Sequence, residues 1–340
     1  MQSQGLKRQW DYRQSRKKDE GIVTRFTMMK NYRGQVFQCL WESSFVRAIR
    51  FWVFTIQEKV TGYSHMRRIF FEKTGYSLDL KNPLSFNQKI CWKKVHDRNP
   101  LMPIVADKFL VREYLHDVLG EEEAGKYLIP LLYVTDDPHI IPFDTLPDEY
   151  IIKPNHGSGT NIIIQRGEAI GREQIIAQCK NYLKQPYGSF KHEWAYQKIK
   201  RKIVIEPLLR DDNGDLPKDY KFHVFHGTCH LIQVDQDRLT DHVRTLYDRD
   251  WNNLHMNYKY QEGTDIKKPE TLDDMLSLVE RLGRSFDYIR VDLYNIRGTV
   301  YFGELTNYPE SGYGRFTPTS LDFELGSEWQ ITPEYWKKEK

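Results

Sequence analysis

"YIRVDLYNIRGTVYFGELTNYP", residues 288–309, is the stretch on which the reading of this chain turns. Two runs rich in β-branched and aromatic residues flank Arg297, Gly298 and Thr299, a pattern that predicts a β-hairpin with a three-residue loop. Such a loop pairs Ile296 with Val300, and the register then places Asp292 opposite Glu304. Like charges directly opposed on neighbouring strands destabilise a sheet. A hard cation such as Mg²⁺, which favours oxygen ligands, removes the repulsion. Arg290 lies two residues before Asp292 and shares its face, within reach of anionic oxygens held by the same ion. The plainer alternative is a solvated face on which Arg290 simply pairs with the acids.

Upstream, "YIIKPNHGSGTNIII" (150–164) reads as strand, glycine-rich turn, strand. It lacks the Gly-Lys-Ser/Thr ending that opens the helix of a P-loop. Its backbone N–H groups can still close over phosphate oxygens, with Lys153 as a point charge on the strand leading in. A purely structural hairpin is the alternative. "RKIVIEPLL" (201–209) is an apolar strand ending on Glu206 and a proline, and "DYKFHVFHGTCHLIQVD" (219–235) predicts a hairpin around Gly227. His223, His226, Cys229 and His230 crowd that hairpin, but strand alternation sends His223 and His226 to opposite faces, which argues against zinc or copper. "LIPLLYV" (128–134) is strand-like. "DKFLVREYLHDVLG" (107–120) predicts a helix with Phe109, Tyr114, Leu115 and Val118 as its stripe and Gly120 as its stop. "ETLDDMLSLVERLG" (270–283) predicts another, packing through Leu272, Met275, Leu276, Val279 and Leu282.

Charge in the 340 residues is nearly balanced, with 50 Lys or Arg against 47 Asp or Glu, and aromatics make up 14%, so a folded chain of two or three units is expected. The balance is uneven: residues 1–50 hold eleven Lys or Arg and four Asp or Glu. "LKRQWDYRQSRKKDEG" (6–21) reads as a solvated tail. In "FVRAIRFWVFTIQ" (45–57), Phe45, Ile49, Val53 and Ile56 recur at near-helical spacing beside Arg47 and Arg50, a pattern that can lie on an anionic membrane surface. The run is too short and too interrupted by arginine to span one. No apolar core of a secretory signal is visible, and the four cysteines form no CxxC pair, so cytoplasm is the expected compartment, with the inner face of the cell membrane as a peripheral site. Nucleic acid is not an expected partner, because no stacking platform accompanies the basic tail.

In this order, "IIKPNHGSGTN", "IVIEPLL", "DYKFHVFHG", "IQVDQDR" and the 288–309 hairpin resemble the TupA-like ATP-grasp family of teichuronopeptide and surface polysaccharide biosynthesis. "LKNPLSFNQKICWKK" and "ADKFLVREYL" are similar to its upstream segments, so the resemblance covers roughly 72–326. It implies an α+β ATP-grasp fold, with nucleotide held between two antiparallel-rich α+β subdomains and a basic helical N-terminal extension. The divisions it implies are 1–70 for the extension, 71–130 for an N-terminal subdomain, 131–205 for the flap subdomain and 206–330 for a C-terminal subdomain with the metal-binding hairpin.

The resemblance also implies roles. Lys108 and Lys153 touch ATP phosphates, and His156, Gly157, Ser158 and Gly159 form the flap above them. Glu206, with the backbone of Pro207 and Leu208, is the strand that receives adenine, and Asp219 and Lys221 contact ribose or phosphate. Asp292 and Glu304 hold Mg²⁺, with Thr306 where the superfamily often has asparagine and Asn307 one step later. Lys153 and Arg290 are the catalytic cations. Glu310 stands after Pro309 where glycine is expected, a departure that bears on the acceptor pocket. The implied activity is an ATP-dependent carboxylate–amine ligase that acts through an acyl phosphate and needs no nucleophilic side chain. Its implied substrates are a sugar carboxylate and an amino acid or other amine. The alternatives are a glycan kinase with His156 or His223 as base, and a non-catalytic nucleotide-binding scaffold of a polysaccharide assembly complex.

Overall fold

The computed structural model describes residues 44–167, 170–237 and 241–337. The chain divides into two compact units, one ending at Tyr63 and the other beginning at Ser64. The stretch read as a solvated basic tail lies outside the described residues. The first unit contributes one long helix, α1 (Ser44–Val60). Residues 64–70, expected within the extension, belong to the second unit, where Met66 and Phe70 of helix α2 (Ser64–Thr74) are buried.

The second unit continues through α3 (Phe86–His96), α4 (Leu101–Ala106), α5 (Val111–Leu119), α6 (Glu121–Tyr127), α7 (Arg172–Lys184), α8 (Trp194–Gln197), α9 (Leu272–Gly283) and α10 (Ser320–Glu328). Strands β1 (Tyr133–Thr135), β2 (Tyr150–Pro154), β3 (Ile162–Ile164) and β4 (Ile203–Pro207) form an antiparallel sheet in the order β1-β4-β2-β3. Of "LIPLLYV", only Tyr133 and Val134 enter β1; Leu128 makes an isolated bridge to Phe302. The expected strand–turn–strand is present, with Tyr150 opposite Ile164 and Ile152 opposite Ile162. Alternation then sorts the side chains. Ile152, Ile162, Ile203 and Ile205 are buried against Ile175 and Cys179 of α7, leaving Ile151, Lys153 and Glu206 on the other face.

A second antiparallel sheet has the order β10-β9-β5-β6-β7, built from β5 (Asp219–Phe225), β6 (Thr228–Gln236), β7 (Val243–Tyr247), β9 (Tyr288–Ile296) and β10 (Thr299–Thr306). The short pair β8 (Asn257–Tyr258) and β11 (Phe316–Thr317) stands apart. The hairpin around Gly227 forms as expected, with His226 and Gly227 both at positive φ. One face of the large sheet, with Phe222, Val224, Val291 and Leu293, buries the predicted stripe of α9. Helix α5 joins that core but starts later than the sequence pattern suggested. The Asp107 carboxylate accepts the N–H groups of Phe109 and Leu110, which holds 107–110 as a turn. The buried stripe is therefore Val111, Tyr114, Leu115 and Leu119, and Phe109 and Val118 are only partly buried.

The opposite face of the large sheet is divided. At one end Phe225, Leu231, Leu246 and Tyr288 pack with Phe86 of α3, Leu321 and Leu325 of α10, and Trp329. Helix α3 is set there by a capping box, in which the Ser85 side chain accepts the Gln88 N–H and the Gln88 side chain accepts the Ser85 N–H. The other end of the face is polar, and the candidate site lies on it.

Candidate functional site

Asp292 does pair with Glu304, but not through a three-residue loop. The turn has two residues, Arg297 and Gly298, both at positive φ, and Ile296 pairs with Thr299. The extra residue sits instead in a β-bulge at Gly303, between Phe302 and Glu304. The bulge decides the chemistry. A three-residue loop would place Val300 and Phe302 on the Asp292 face, whereas the bulge keeps them in the core and turns only Glu304 and Thr306 toward Asp292 and Arg290. A Cβ on Gly303 would lie 3.0 Å from the Asp292 carbonyl oxygen and 3.3 Å from the Tyr294 ring. Gly303→Val is therefore expected to cost about 1–3 kcal/mol and to displace the acids; chemical denaturation and turnover at saturating ATP both check it, and wild-type values in both refute it.

Arg290 is the hub. Its Nε and Nη2 donate to the two Asp292 oxygens at 2.7 Å each, and Nη2 also meets Glu304 at 3.2 Å and the Thr306 hydroxyl at 3.1 Å. Thr306 donates in turn to Glu304 at 2.7 Å. From β5, Lys221 reaches Asp292 at 2.6 Å and Asp219 at 3.1 Å. Burial raises the Asp292 carboxyl, with Arg290 and Lys221 opposing it. Burial would also raise Glu304, but Lys108, Arg290 and Lys221 outweigh it and hold that carboxyl at about 2. Asn307 points elsewhere: it is fully buried and its amide donates to the Met102 carbonyl. Thr306 thus takes the third position beside the two acids.

Facing this cluster in the same cleft of about 830 Å³ are Lys108, Lys153, Ser158 and Gly159. The Asp107 turn and a bond from the Lys108 N–H to the Asn155 carbonyl, 3.0 Å, place Lys108 under the glycine turn, where its ammonium donates to the Gly157 carbonyl. Its pKa is lowered, first by burial. Gly157 has φ +103°, and a Cβ there would meet the Tyr187 ring at 2.6 Å, so the turn requires glycine at that point. Lys153 pairs with Glu206 at 2.7 Å.

Several expected site residues are not cleft-lining. His156 is buried beneath the turn, its Nε2 donating to the Gln185 carbonyl, and burial pushes its pKa down to about 4. Glu206, Pro207 and Leu208 do not line the cleft, and the Leu208 N–H is directed at the Glu149 carbonyl at 3.4 Å. At Pro207 the strand has no N–H to offer an adenine edge. His223, the other base considered for a kinase, is fully buried against Tyr288, and burial lowers its pKa to about 3. Because the unfolded histidine titrates near 6.5, the unfolded state binds protons first, and stability is lost as pH falls below that value. The melting temperature is expected to drop between about pH 6.5 and 5, and His223→Gln to flatten that limb by about one proton; an unchanged slope excludes the neutral buried histidine.

Sequence reasoning singled out Glu310 but missed Asp235, Arg244 and Lys259, which line the far end of the cleft with it. Gln233 and Asp235, alternating with the apolar Ile232 and Val234 on β6, were a usable signal, since both share the Lys221 face. Arg244 donates to both Asp235 oxygens, and Glu310 receives Lys259 at 2.6 Å and Arg244 at 3.4 Å. Lys259, Glu310 and Ser311 all adopt positive φ, at 66°, 47° and 58°. Each costs about 1–3 kcal/mol, a strain that concentrates at functional sites. Glu310 thus keeps the backbone form that a glycine would take, held by its two cations.

The cleft lining carries nine Lys or Arg and six Asp or Glu, an excess suited to an anionic ligand. Among the described residues no three His, Cys, Asp or Glu side chains are grouped to hold a metal alone. The oxygen set of Asp292, Glu304 and Thr306 fits Mg²⁺ nonetheless, because that ion is commonly bound by one or two carboxylates plus substrate phosphates.

A family profile described as TupA-like ATPgrasp matches residues 88–330. The chain belongs to this family. The TupA-like ATPgrasp chain shows the mixed α+β fold with antiparallel sheets that its membership entails. No curated protein matches it. Among solved structures, it is similar to D-alanine–D-alanine ligase from Bacillus anthracis complexed with ATP, at 15% identity and TM-score 0.39 over 70% of this chain and 68% of that one. The Helicobacter pylori D-alanine–D-alanine ligase is 14% identical, TM-score 0.39, over 72% and 69%. The ATP-grasp ligase PsnB with a minimal precursor, Mg and ADP is 12% identical, TM-score 0.37, over 72% and 66%.

Proposed function

We propose that this chain is an ATP-dependent carboxylate–amine ligase that joins an amino acid or other amine to a sugar carboxylate during assembly of a bacterial surface polysaccharide. The single observation that carries the reading is the Arg290–Asp292–Glu304–Thr306 cluster facing Lys108 and Lys153 across one cleft. That arrangement suits transfer of a γ-phosphoryl group, in which positioning and charge neutralisation do nearly all the work. A carboxylate attacks the γ-phosphorus, ADP leaves, and the amine then displaces phosphate from the acyl phosphate, losing one proton.

Mg²⁺ held by Asp292 and Glu304, with Thr306 beside them, would neutralise phosphate charge. Lys108 and Lys153 bind phosphate oxygens, and Arg290 stabilises charge on the reacting acyl and phosphoryl oxygens. The acceptor enters the far end of the cleft, between Arg244, Lys259 and Glu310. Covalent catalysis finds no support in the cleft hydroxyls. Ser158 contacts the Tyr187 hydroxyl and Ser311 contacts Lys94, so neither is paired with a histidine base. Burial of both His156 and His223 removes the two bases considered for the kinase alternative and leaves His242, beside Asp235 at 3.5 Å, as the histidine that lines the cleft.

The test is mass spectrometry of products after incubation with Mg-ATP, a panel of uronate-containing oligosaccharides and pooled amino acids. An acceptor heavier by one amino acid less water, with ADP released, is the expected result. A gain of a phosphoryl group alone replaces the ligase with a kinase.

A further inference from the structure

Helix α1 buries one side and exposes an apolar stripe on the other. Ile49, Trp52, Val53, Ile56 and Val60 are all exposed, Trp52 at 66% and Val60 at 80%. At 3.6 residues per turn they share an arc of about 100°. Glu58, the single acid of the helix, lies opposite them and is 1% exposed, while Phe51 and Phe54 are half-buried on that same side. Arg50 and Lys59 are exposed and flank the stripe. Large exposed apolar residues contiguous on one face mark an interaction surface rather than chance exposure.

We propose that this face lies on an anionic lipid surface. Three features select lipid as the occupant. Cations of the helix border the stripe and no acid of the helix does, so the charge complements anionic headgroups, with long side chains extending toward the phosphates. A tryptophan stands within the stripe, where an amphipathic ring suits the headgroup boundary. The chain that leads into the helix is itself basic, with nine Lys or Arg and four Asp or Glu in residues 1–43. Among the described residues no helix is long and apolar enough to cross a membrane, so the helix lies in the surface plane. Apolar burial and electrostatic attraction together give a reversible attachment that salt weakens.

The experiment is flotation of the full chain with vesicles of phosphatidylcholine containing about 30% phosphatidylglycerol, and with phosphatidylcholine alone. The wild type is expected to bind the anionic vesicles and to lose most of that binding at about 0.5 M salt. Trp52→Glu combined with Ile56→Glu, both at exposed positions, is expected to reduce partitioning about tenfold or more with unchanged melting temperature and unchanged ATP turnover. Two results overturn the proposal. If the double variant floats as well as the wild type, the tail binds by charge alone and the helix face is not the contact. If the wild type does not float, and light scattering shows a dimer that the double variant loses, a second copy covers the stripe.

Discussion

Glu304→Gln is expected to lower kcat for Mg-ATP-dependent ADP release by about 10²–10³-fold while the chain stays folded. Glutamine keeps an oxygen that accepts from Arg290 and Thr306, so the geometry of the hairpin survives. What disappears is the negative charge that Lys108, Arg290 and Lys221 hold ionised down to about pH 2. Its contribution to stability is fully present above the ordinary carboxyl value of 4.5 and is lost as pH falls toward 2. Glu304 therefore imposes no acid limb on activity near neutral pH. Steady-state ADP release measured for both proteins decides the matter: a variant with wild-type kcat removes Glu304 from the site. Asp292→Asn is a poorer probe, because Asp292 takes both Arg290 and Lys221 and its loss leaves buried cations unbalanced.

Lys93→Met is expected to cost about 3–5 kcal/mol at neutral pH, large enough to lower the melting temperature by about 10 °C. Lys93 is fully buried in α3, 2.5 Å from Asp97 and 2.9 Å from Asp287. Trp329 donates its indole N–H to Asp287 at 3.0 Å, so the ion cluster is built into the core that Trp329 shares with Phe86 and Tyr288. Methionine fills the same volume but leaves two carboxylates buried without a counter-charge. Denaturant melts at neutral pH test the loss; a variant as stable as wild type would show that water reaches the two acids. Adding Asp287→Asn removes one of the stranded charges and is expected to restore part of the loss.

The contrast between these two positions shows what was legible beforehand. Asp292 and Glu304 stood out because an ionisable residue inside an apolar β-run is expensive, and alternation says which face it takes. The same rule exposed Lys153 on β2 and would have exposed Asp235 on β6. Long helical periodicity was equally readable, and the α9 stripe is buried as its spacing implied. The short helix α5 was shifted because Asp107 took two N–H groups into a turn, a local competition that apolar spacing does not register. Lys93 had no signal at all, since a lysine between tryptophan and lysine reads as a solvated helix face.

The sequence by itself determined the paired antiparallel strands, the glycine turn, the apolar faces and the identity of the charged residues, because each follows from local periodicity and backbone preference. Tertiary structure alone decided where the extra residue of the hairpin went. The composition of residues 296–304 is compatible with a longer turn or with a bulge, and only the competition of Val300 and Phe302 for the core with Glu304 for the cleft selects the bulge. It likewise decided that His156 and His223 would be neutral and buried, that Lys259 and Glu310 would converge from segments 51 positions apart, and that a lysine would sit at the centre of a core. Those outcomes depend on which surfaces meet, and burial, unlike periodicity, is a property of the assembled chain.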